Sequence, residues 1–384
     1  MDNKTLKISE LYRLPWSKND NPNGWLEITT FCNMKCPGCY RGCNRSDNKQ
    51  EHFPLERLKK EILMLKKIRN CHSISISGGE PLIHPQILEI VRFIKKEGMN
   101  PVIFTNGSLI TKDLLIKLKS SGLTGIAIRV DSLRENAPDE IGLNNLRQKY
   151  ADLVYSVGGL ILLFVCVINK KNIFQIPKIV EWFQKNNKKT EILTLIAMRQ
   201  VLFNKKERIN MADWVYIPEI CSEIWKKFPD LKYGAYLGSQ EEDLTIKWLY
   251  SFWISLNNKV LGYLDKKFIE MAIISYHLKN GRYYYFLDKK NNFISFPKAI
   301  FASLLNKSMR KILKNYLVEC LKNPLNLFKK MHLQGMNLVQ PPGLVNGKRD
   351  LCDSCPDATL YNGKLYPSCG LEEVKKYRKL YEIT

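Results

Sequence analysis

Between residues 24 and 200 the sequence alternates short β-rich runs with helical ones, and that rhythm leaves few folds open. Trp25 to Thr30, the Ile/Ser alternation Ser73 to Ser77, Val102 to Thr105, Ile126 to Val130, Leu160 to Ile168 and Ile192 to Met198 read as strands. Pro54 to Asn70 sets Leu55, Leu58, Ile62, Leu65 and Ile68 on one helical face, and Gln86 to Glu97 runs to a capping Gly98. Leu114 to Ser120, ending at Gly122, and Ile176 to Gln184 read as further helices. Strand–helix alternation at this spacing predicts βα units on a parallel sheet. The continuous apolar run Ile161 to Ile168 suits a sheet covered on both faces.

Polar residues and glycines recur where these strands end: Gly78-Gly79-Glu80, Thr105-Asn106-Gly107, Asp131-Ser132 and Asn169. The C-terminal edge of a parallel sheet is where α/β folds bind ligands. From about Asn204 the rhythm is lost. Trp214, Trp225, Trp248 and Trp253 fall in a stretch that reads as helical or irregular, Arg282 to Phe286 and Phe293 to Phe296 read as a hairpin, and Ser308 to Leu321 as a basic helix.

Eleven cysteines are many for a reducing compartment, and they are unevenly placed. Cys32, Cys36 and Cys39 form CxxxCxxC with Cys43 just beyond, and Cys352, Cys355 and Cys369 crowd the other end. Such clustering points to metal ligation. Three cysteine ligands leave one iron of a four-iron cluster open to a small molecule, where a ferredoxin-type carrier supplies a fourth. A zinc site is the competing reading, but zinc prefers four protein ligands and no histidine lies in the cluster.

CxxxCxxC directly after a first strand, followed by Tyr40, resembles the radical S-adenosylmethionine (SAM) enzymes. Gly78-Gly79-Glu80-Pro81-Leu82 is similar to that family's GGEPL segment, and Thr105-Asn106-Gly107 to its TNG turn. Asp131-Ser132 and Val167-Ile168-Asn169-Lys170 are similar to its ribose- and carboxylate-contacting positions. The resemblance covers about residues 24 to 200. It implies a 4Fe-4S cluster on Cys32, Cys36 and Cys39, and SAM contacts from Tyr40, Gly78, Gly79, Glu80, Thr105, Asn106, Ser132 and Asn169. Independently, Gly78 and Gly79 allow close backbone approach to a ligand, and Glu80 suits an ammonium partner. One departure is Gly38 before the third cysteine, where the family carries an aromatic or apolar side chain. No acid, base or nucleophile stands out as catalytic.

The C-terminal cysteines are spaced CxxCx13C around Asn362-Gly363, a hairpin signal that brings Cys369 back towards the pair. This is similar to the C-terminal cluster of the molybdenum cofactor biosynthesis protein A family and to the Twitch and SPASM extensions of peptide-modifying radical SAM enzymes. It implies a second 4Fe-4S cluster on Cys352, Cys355 and Cys369, its fourth iron open to substrate or held by a single cysteine such as Cys320; a zinc knuckle is the alternative. The chain ends Tyr381-Glu382-Ile383-Thr384 without the molybdenum family's Gly-Gly tail, so the GTP substrate is not carried over. Cys71 and Cys166 are expected in the core, and His84 in a surface or packing role.

Net charge is +23, but lysine is spread along the whole length and mixed with Glu and Asn, which reads as a solvated surface more than a nucleic-acid site. The longest apolar run, nine residues, is about half of what a membrane span needs, and the N-terminus has no signal-like stretch, so a cytoplasmic location is expected. The expected architecture is α/β: a partial (β/α)6 TIM-like barrel over 24–203, a linking and substrate-cavity region over 204–345, and a small cysteine-rich α+β extension over 346–384. The expected activity is reductive cleavage of SAM to a 5′-deoxyadenosyl radical, fed by flavodoxin or ferredoxin and spent on peptide maturation. The alternatives are radical modification of a small metabolite or nucleotide, and a non-catalytic iron–sulfur or zinc scaffold.

Overall fold

The computed structural model describes residues 5–36, 39–43, 49–134, 137–199, 212–240, 245–286, 289, 293–294, 296–345 and 348–377. Its strands are β1 (Tyr12–Arg13), β2 (Asn23–Glu27), β3 (Ser73–Ser77), β4 (Asn100–Thr105), β5 (Gly125–Arg129), β6 (Ile161–Ile168), β7 (Ile192–Ala197) and β8 (Ala235–Gly238). There follow β9 (Ile246–Leu256), β10 (Lys259–Tyr263), β11 (Phe293–Ile294), β12 (Met331–Val339), β13 (Gly343–Val345), β14 (Lys348–Asp350), β15 (Ala358–Tyr361) and β16 (Lys364–Pro367). The helices are α1 (Leu55–Arg69), α2 (Ile87–Lys96), α3 (Lys112–Ser120), α4 (Asn144–Val157) and α5 (Ile176–Lys185), then α6 (Ile217–Lys227), α7 (Lys266–Asn280), α8 (Phe296–Leu305), α9 (Lys307–Lys322) and α10 (Leu371–Tyr377).

Strands β2 to β7 lie side by side in chain order, all parallel, with α1 to α5 in the crossovers. The period-two pattern divides each strand between two layers. Ile74 and Ile76 are buried in one cluster with Leu58, Ile62 and Leu65 of α1 and Ile90 and Ile94 of α2. On the other face, Val102, Ala127, Leu163 and Val165 pack with Phe286 in a second cluster. The parallel α/β half is thus as the rhythm predicted.

Helix α4 was not legible as one. Its buried stripe is Arg147, Tyr150, Ala151 and Val154, and the arginine at its head disguises the apolar spacing. Arg147 is fully buried because its guanidinium donates to the Glu140 carboxylate at 2.5 Å and to the Val130 carbonyl at 2.9 Å. Cys166 and Cys71 are buried, as expected.

The sheet does not stop at residue 203. Strand β12 pairs parallel to β7, β9 antiparallel to β12, β8 antiparallel to β9, and β1 parallel to β8. The expectation of an irregular stretch around Trp248 and Trp253 is therefore corrected: both lie in β9, which carries aromatics on both faces and turns straight into β10 through Asn257 and Asn258 at φ 49° and 64°. A hairpin with no intervening helix gives no βα signal. The hairpin expected between 282–286 and 293–296 is also corrected, because Phe293 and Ile294 pair with His332 and Met331 of β12.

Trp253 joins the two halves. It is fully buried, its indole N–H donates to Gln334 Oε1 at 3.0 Å, and its ring meets Phe183 of α5 edge-on at 5.9 Å. Gln334 in turn donates to the Phe183 carbonyl at 2.9 Å. Trp253→Ala is expected to cost about 3–5 kcal/mol and to lower a single urea transition. A separate early transition, with the parallel strands left intact, would show that the two halves fold independently.

Candidate active site

After β2 the chain leaves the sheet at Ile28 and returns at Phe53, and the two feet of this loop are tied together. Phe53 N–H donates to the Ile28 carbonyl at 3.0 Å, the Thr29 hydroxyl meets His52 Nδ1 at 2.9 Å, and the Thr30 hydroxyl donates to the Lys49 carbonyl at 2.7 Å. The loop carries Cys32, Cys36 and Cys39. Gly79 N–H donates to the Thr29 carbonyl at 2.8 Å and Glu80 N–H to the Phe31 carbonyl at 2.7 Å. A Cβ at Gly78 would stand 2.3 Å from the Thr29 carbonyl oxygen, and one at Gly79 would stand 1.9 Å from that of Phe31. The glycine pair therefore has a nearer cause than ligand approach: it lets the β3 terminus touch the cysteine loop.

Glu80 is fully buried and works inside the wall. Its carboxylate accepts from the Thr105 hydroxyl at 2.6 Å, Asn106 N–H at 2.8 Å and Leu82 N–H at 3.0 Å. Burial raises its pKa, and these hydrogen bonds oppose the rise. Asn106 Nδ2 donates to Asn33 Oδ1 at 2.9 Å and Asn33 Nδ2 to the Ser108 hydroxyl at 2.9 Å, so the β4 turn and the cysteine loop form one unit. His84 is buried and bonded to the Phe53 carbonyl at 3.0 Å, a packing role.

A cavity of about 290 Å³ opens at this edge of the sheet. Its wall contains Cys32, Cys36, Cys39, Tyr40, Gly78, Gly79, Thr105 and Asn106, together with Cys352, Cys355 and Cys369. Both cysteine sets look into one space. Glu80, Ser132 and Asn169 are not in the wall. Ser132 and Asn169 are linked through Asn172, whose amide donates to the Ser132 hydroxyl at 3.3 Å and whose Oδ1 accepts from Asn169 N–H at 2.8 Å. The sequence did not single out Arg129, which lines the cavity and is paired at 2.6 Å with the buried Asp131.

The first cysteines differ among themselves. A hydrogen bond with Cys43, joined by N–H groups at 41–43, lowers the pKa of Cys39 and favours its thiolate. Cys43 is its buried neighbour on the loop. Burial raises Cys32 and Cys36. At the C-terminal set, the contact with Cys352 and burial raise Cys355, and burial takes Cys369 to about 12.

The C-terminal set is anchored from many points. Strands β15 and β16 form the predicted hairpin, with Asn362 and Gly363 at φ 48° and 73°. Arg69 donates to the Cys355 carbonyl at 2.8 Å, Asn21 to the Ser354 carbonyl at 3.2 Å, and Asn23 to Asp357 Oδ1 at 3.2 Å. Arg41, next to Tyr40, is ion-paired with Glu27 of β2 at 2.8 Å and with Glu372 of α10. Arg199 pairs with Glu373 at 2.6 Å and donates to the Cys369 carbonyl. Cys320 is not a candidate ligand: it is buried on α9 beside Tyr316, outside the cavity wall. Asp357, in the wall beside the three cysteines, escaped the sequence reading because a lone aspartate carries no motif.

The donors suit an iron–sulfur cluster, since three thiols of CxxxCxxC face a cavity that also has room for a small molecule. Among the described residues no three His, Cys, Asp or Glu side chains converge on a single ion; a four-iron cluster takes each thiolate on a different iron.

The sequence profile of the Radical SAM superfamily matches residues 26–182. The chain is 28% identical over 174 residues to Fe-coproporphyrin III synthase of Methanosarcina barkeri, covering 45% of this chain and 43% of that protein. It is 28% identical over 165 residues to a probable GTP 3′,8-cyclase of Saccharolobus islandicus, covering 41% and 52%. The matches thus span about half the length of these relatives. Among solved structures, Streptococcus suis SuiB bound to S-adenosylmethionine overlaps with a TM-score of 0.39 at 20% identity, covering 48% of this chain and 42% of that one. An overlap at that level fixes neither substrate nor partner. Over residues 26–182 the chain is thus similar to the radical SAM superfamily.

Proposed function

We propose that this chain binds a four-iron cluster through Cys32, Cys36 and Cys39 and uses it to cleave SAM reductively for hydrogen abstraction from a peptide. The observation that carries the reading is the single cavity onto which both cysteine trios open. Held by Cys32, Cys36 and Cys39, such a cluster would supply one-electron reductive cleavage of bound SAM to methionine and a 5′-deoxyadenosyl radical able to take hydrogen from a substrate carbon.

The chain's own residues seat and enclose this chemistry. Gly78, Gly79, Thr105 and Asn106 present backbone and small polar groups beside the cysteine loop, and Glu80 fixes their positions from behind. Tyr40 and Phe104 supply aromatic wall, and Tyr285 and Phe286 add more from the 282–286 segment. Arg129, paired with Asp131, and Arg199, paired with Glu373, bring cations to the wall. Cys352, Cys355 and Cys369, which line the same cavity, would hold a second cluster. The Twitch- and SPASM-like spacing of that set favours a peptide substrate. A second reading, a small metabolite, draws on the relatives matched in sequence, whose names concern a porphyrin and GTP. Flavodoxin or ferredoxin supplies the electron.

With dithionite as reductant under anaerobic conditions, the reconstituted chain is expected to form 5′-deoxyadenosine from SAM. Cys36→Ala should drop this to background. Cys355→Ala should keep most of the cleavage while losing coupling to product; equal loss of both would remove the substrate-side role of the second set. Arg41→Ala leaves Glu27 buried without its nearest cation and is expected to destabilise the fold by about 3–5 kcal/mol, read as a lower urea midpoint. An unchanged midpoint would show that α10 is not held through Arg41.

A further inference from the structure

Half of the large apolar side chains that stand exposed among the described residues fall between 300 and 328. On α8, Phe301, Leu304 and Leu305 share one face, the first two 68% and 71% exposed. Leu321 at the end of α9 is 85% exposed, and Leu325 and Phe328 on the turn that follows are 66% and 86% exposed. Helix α8 packs on α9 and α9 on that turn, so these side chains occupy adjoining elements. The same stretch is strongly basic. Residues 296–330 carry eight Lys and Arg against one carboxylate, Glu319, which is already paired with Lys259 at 2.6 Å and Lys322 at 3.0 Å.

An exposed apolar face on its own names no occupant, but this one comes with a local excess of positive charge. A second copy of the chain would bring like charges together. Nucleic acid matches the lysines but offers leucine no apolar surface. An anionic lipid bilayer satisfies both, taking Leu and Phe below its headgroups and pairing lysine with phosphate. We propose that the α8–α9 pair and the 324–328 turn dock this protein onto an anionic membrane surface, independently of the reaction it performs. The chain would lie on the bilayer, since among the described residues no helix is long and apolar enough to cross one. Strand β12 begins at Met331, directly after the patch, and reaches the cavity wall at Asn337. The docking face and the cavity are thus about 20 Å apart along one strand, so docking leaves the cavity's contents out of the lipid.

The full chain is to be sedimented with vesicles of phosphatidylcholine alone and of phosphatidylcholine with phosphatidylglycerol. Binding is expected to the anionic vesicles only, and to fall by about tenfold or more in 0.5 M salt. Leu321→Glu combined with Phe328→Glu, both at exposed positions, should abolish binding while circular dichroism and the urea midpoint stay unchanged. Lys311→Glu with Lys314→Glu should weaken it similarly. No binding to anionic vesicles, binding indifferent to lipid charge, or binding unaffected by the Leu321/Phe328 pair would each overturn the proposal. So would a concentration-dependent dimer that the Leu321/Phe328 variant dissolves.

Discussion

Two buried arginines hold the cysteine-rich C-terminal segment against the edge of the sheet. Arg41 sits in the first cysteine loop and reaches Glu27 of β2 and Glu372 of α10, and all but 1% of its side-chain surface is removed from solvent. Arg199, just beyond β7, reaches Glu373 and the carbonyl of Cys369. A buried guanidinium is costly unless paired and hydrogen-bonded, so the pairings with Glu372 and Glu373 favour the docked position of α10. Docking α10 brings Cys369 to the cavity, and the one cavity shared by the two cysteine sets follows from it.

The rest of the site is a chain of such dependencies. The cysteine loop is seated by the glycine pair at the end of β3, which no larger residue could replace without meeting the carbonyls of Thr29 and Phe31. Glu80 then clamps the turn at the end of β4, and Asn33 and Asn106 close the ring by binding each other. Residues that resemble ligand contacts in a motif are here also structural parts of the loop that holds the thiols. The two roles are compatible, since backbone fixed by buried hydrogen bonds is preorganised for a ligand.

Much of this was legible in the sequence because its cause is local. CxxxCxxC, Gly-Gly-Glu and Asn-Gly each report a spacing or a backbone demand within a few residues, and the βα rhythm from 24 to 200 reports a parallel sheet. What escaped depends on distant partners. Arg41 and Glu372 are far apart in the chain, Arg129 gains meaning from the cysteine loop opposite it, and Asp357 from the cavity it faces. Strand β9 was hidden for another reason: Trp248, Tyr250 and Phe252 on one face and Trp253 on the other erase the alternation that marks a half-buried strand. Helix α4 was hidden by an arginine buried where an apolar residue is expected.

The proposed reaction depends on Cys32, Cys36 and Cys39 holding an iron–sulfur cluster that binds SAM. Electron paramagnetic resonance of the anaerobically reconstituted, dithionite-reduced chain, recorded with and without SAM, tests it most directly. A reduced four-iron signal whose g-values move on adding SAM, and which is missing from Cys36→Ala, is the expected result. A signal indifferent to SAM, or one that survives the loss of Cys36, would contradict it.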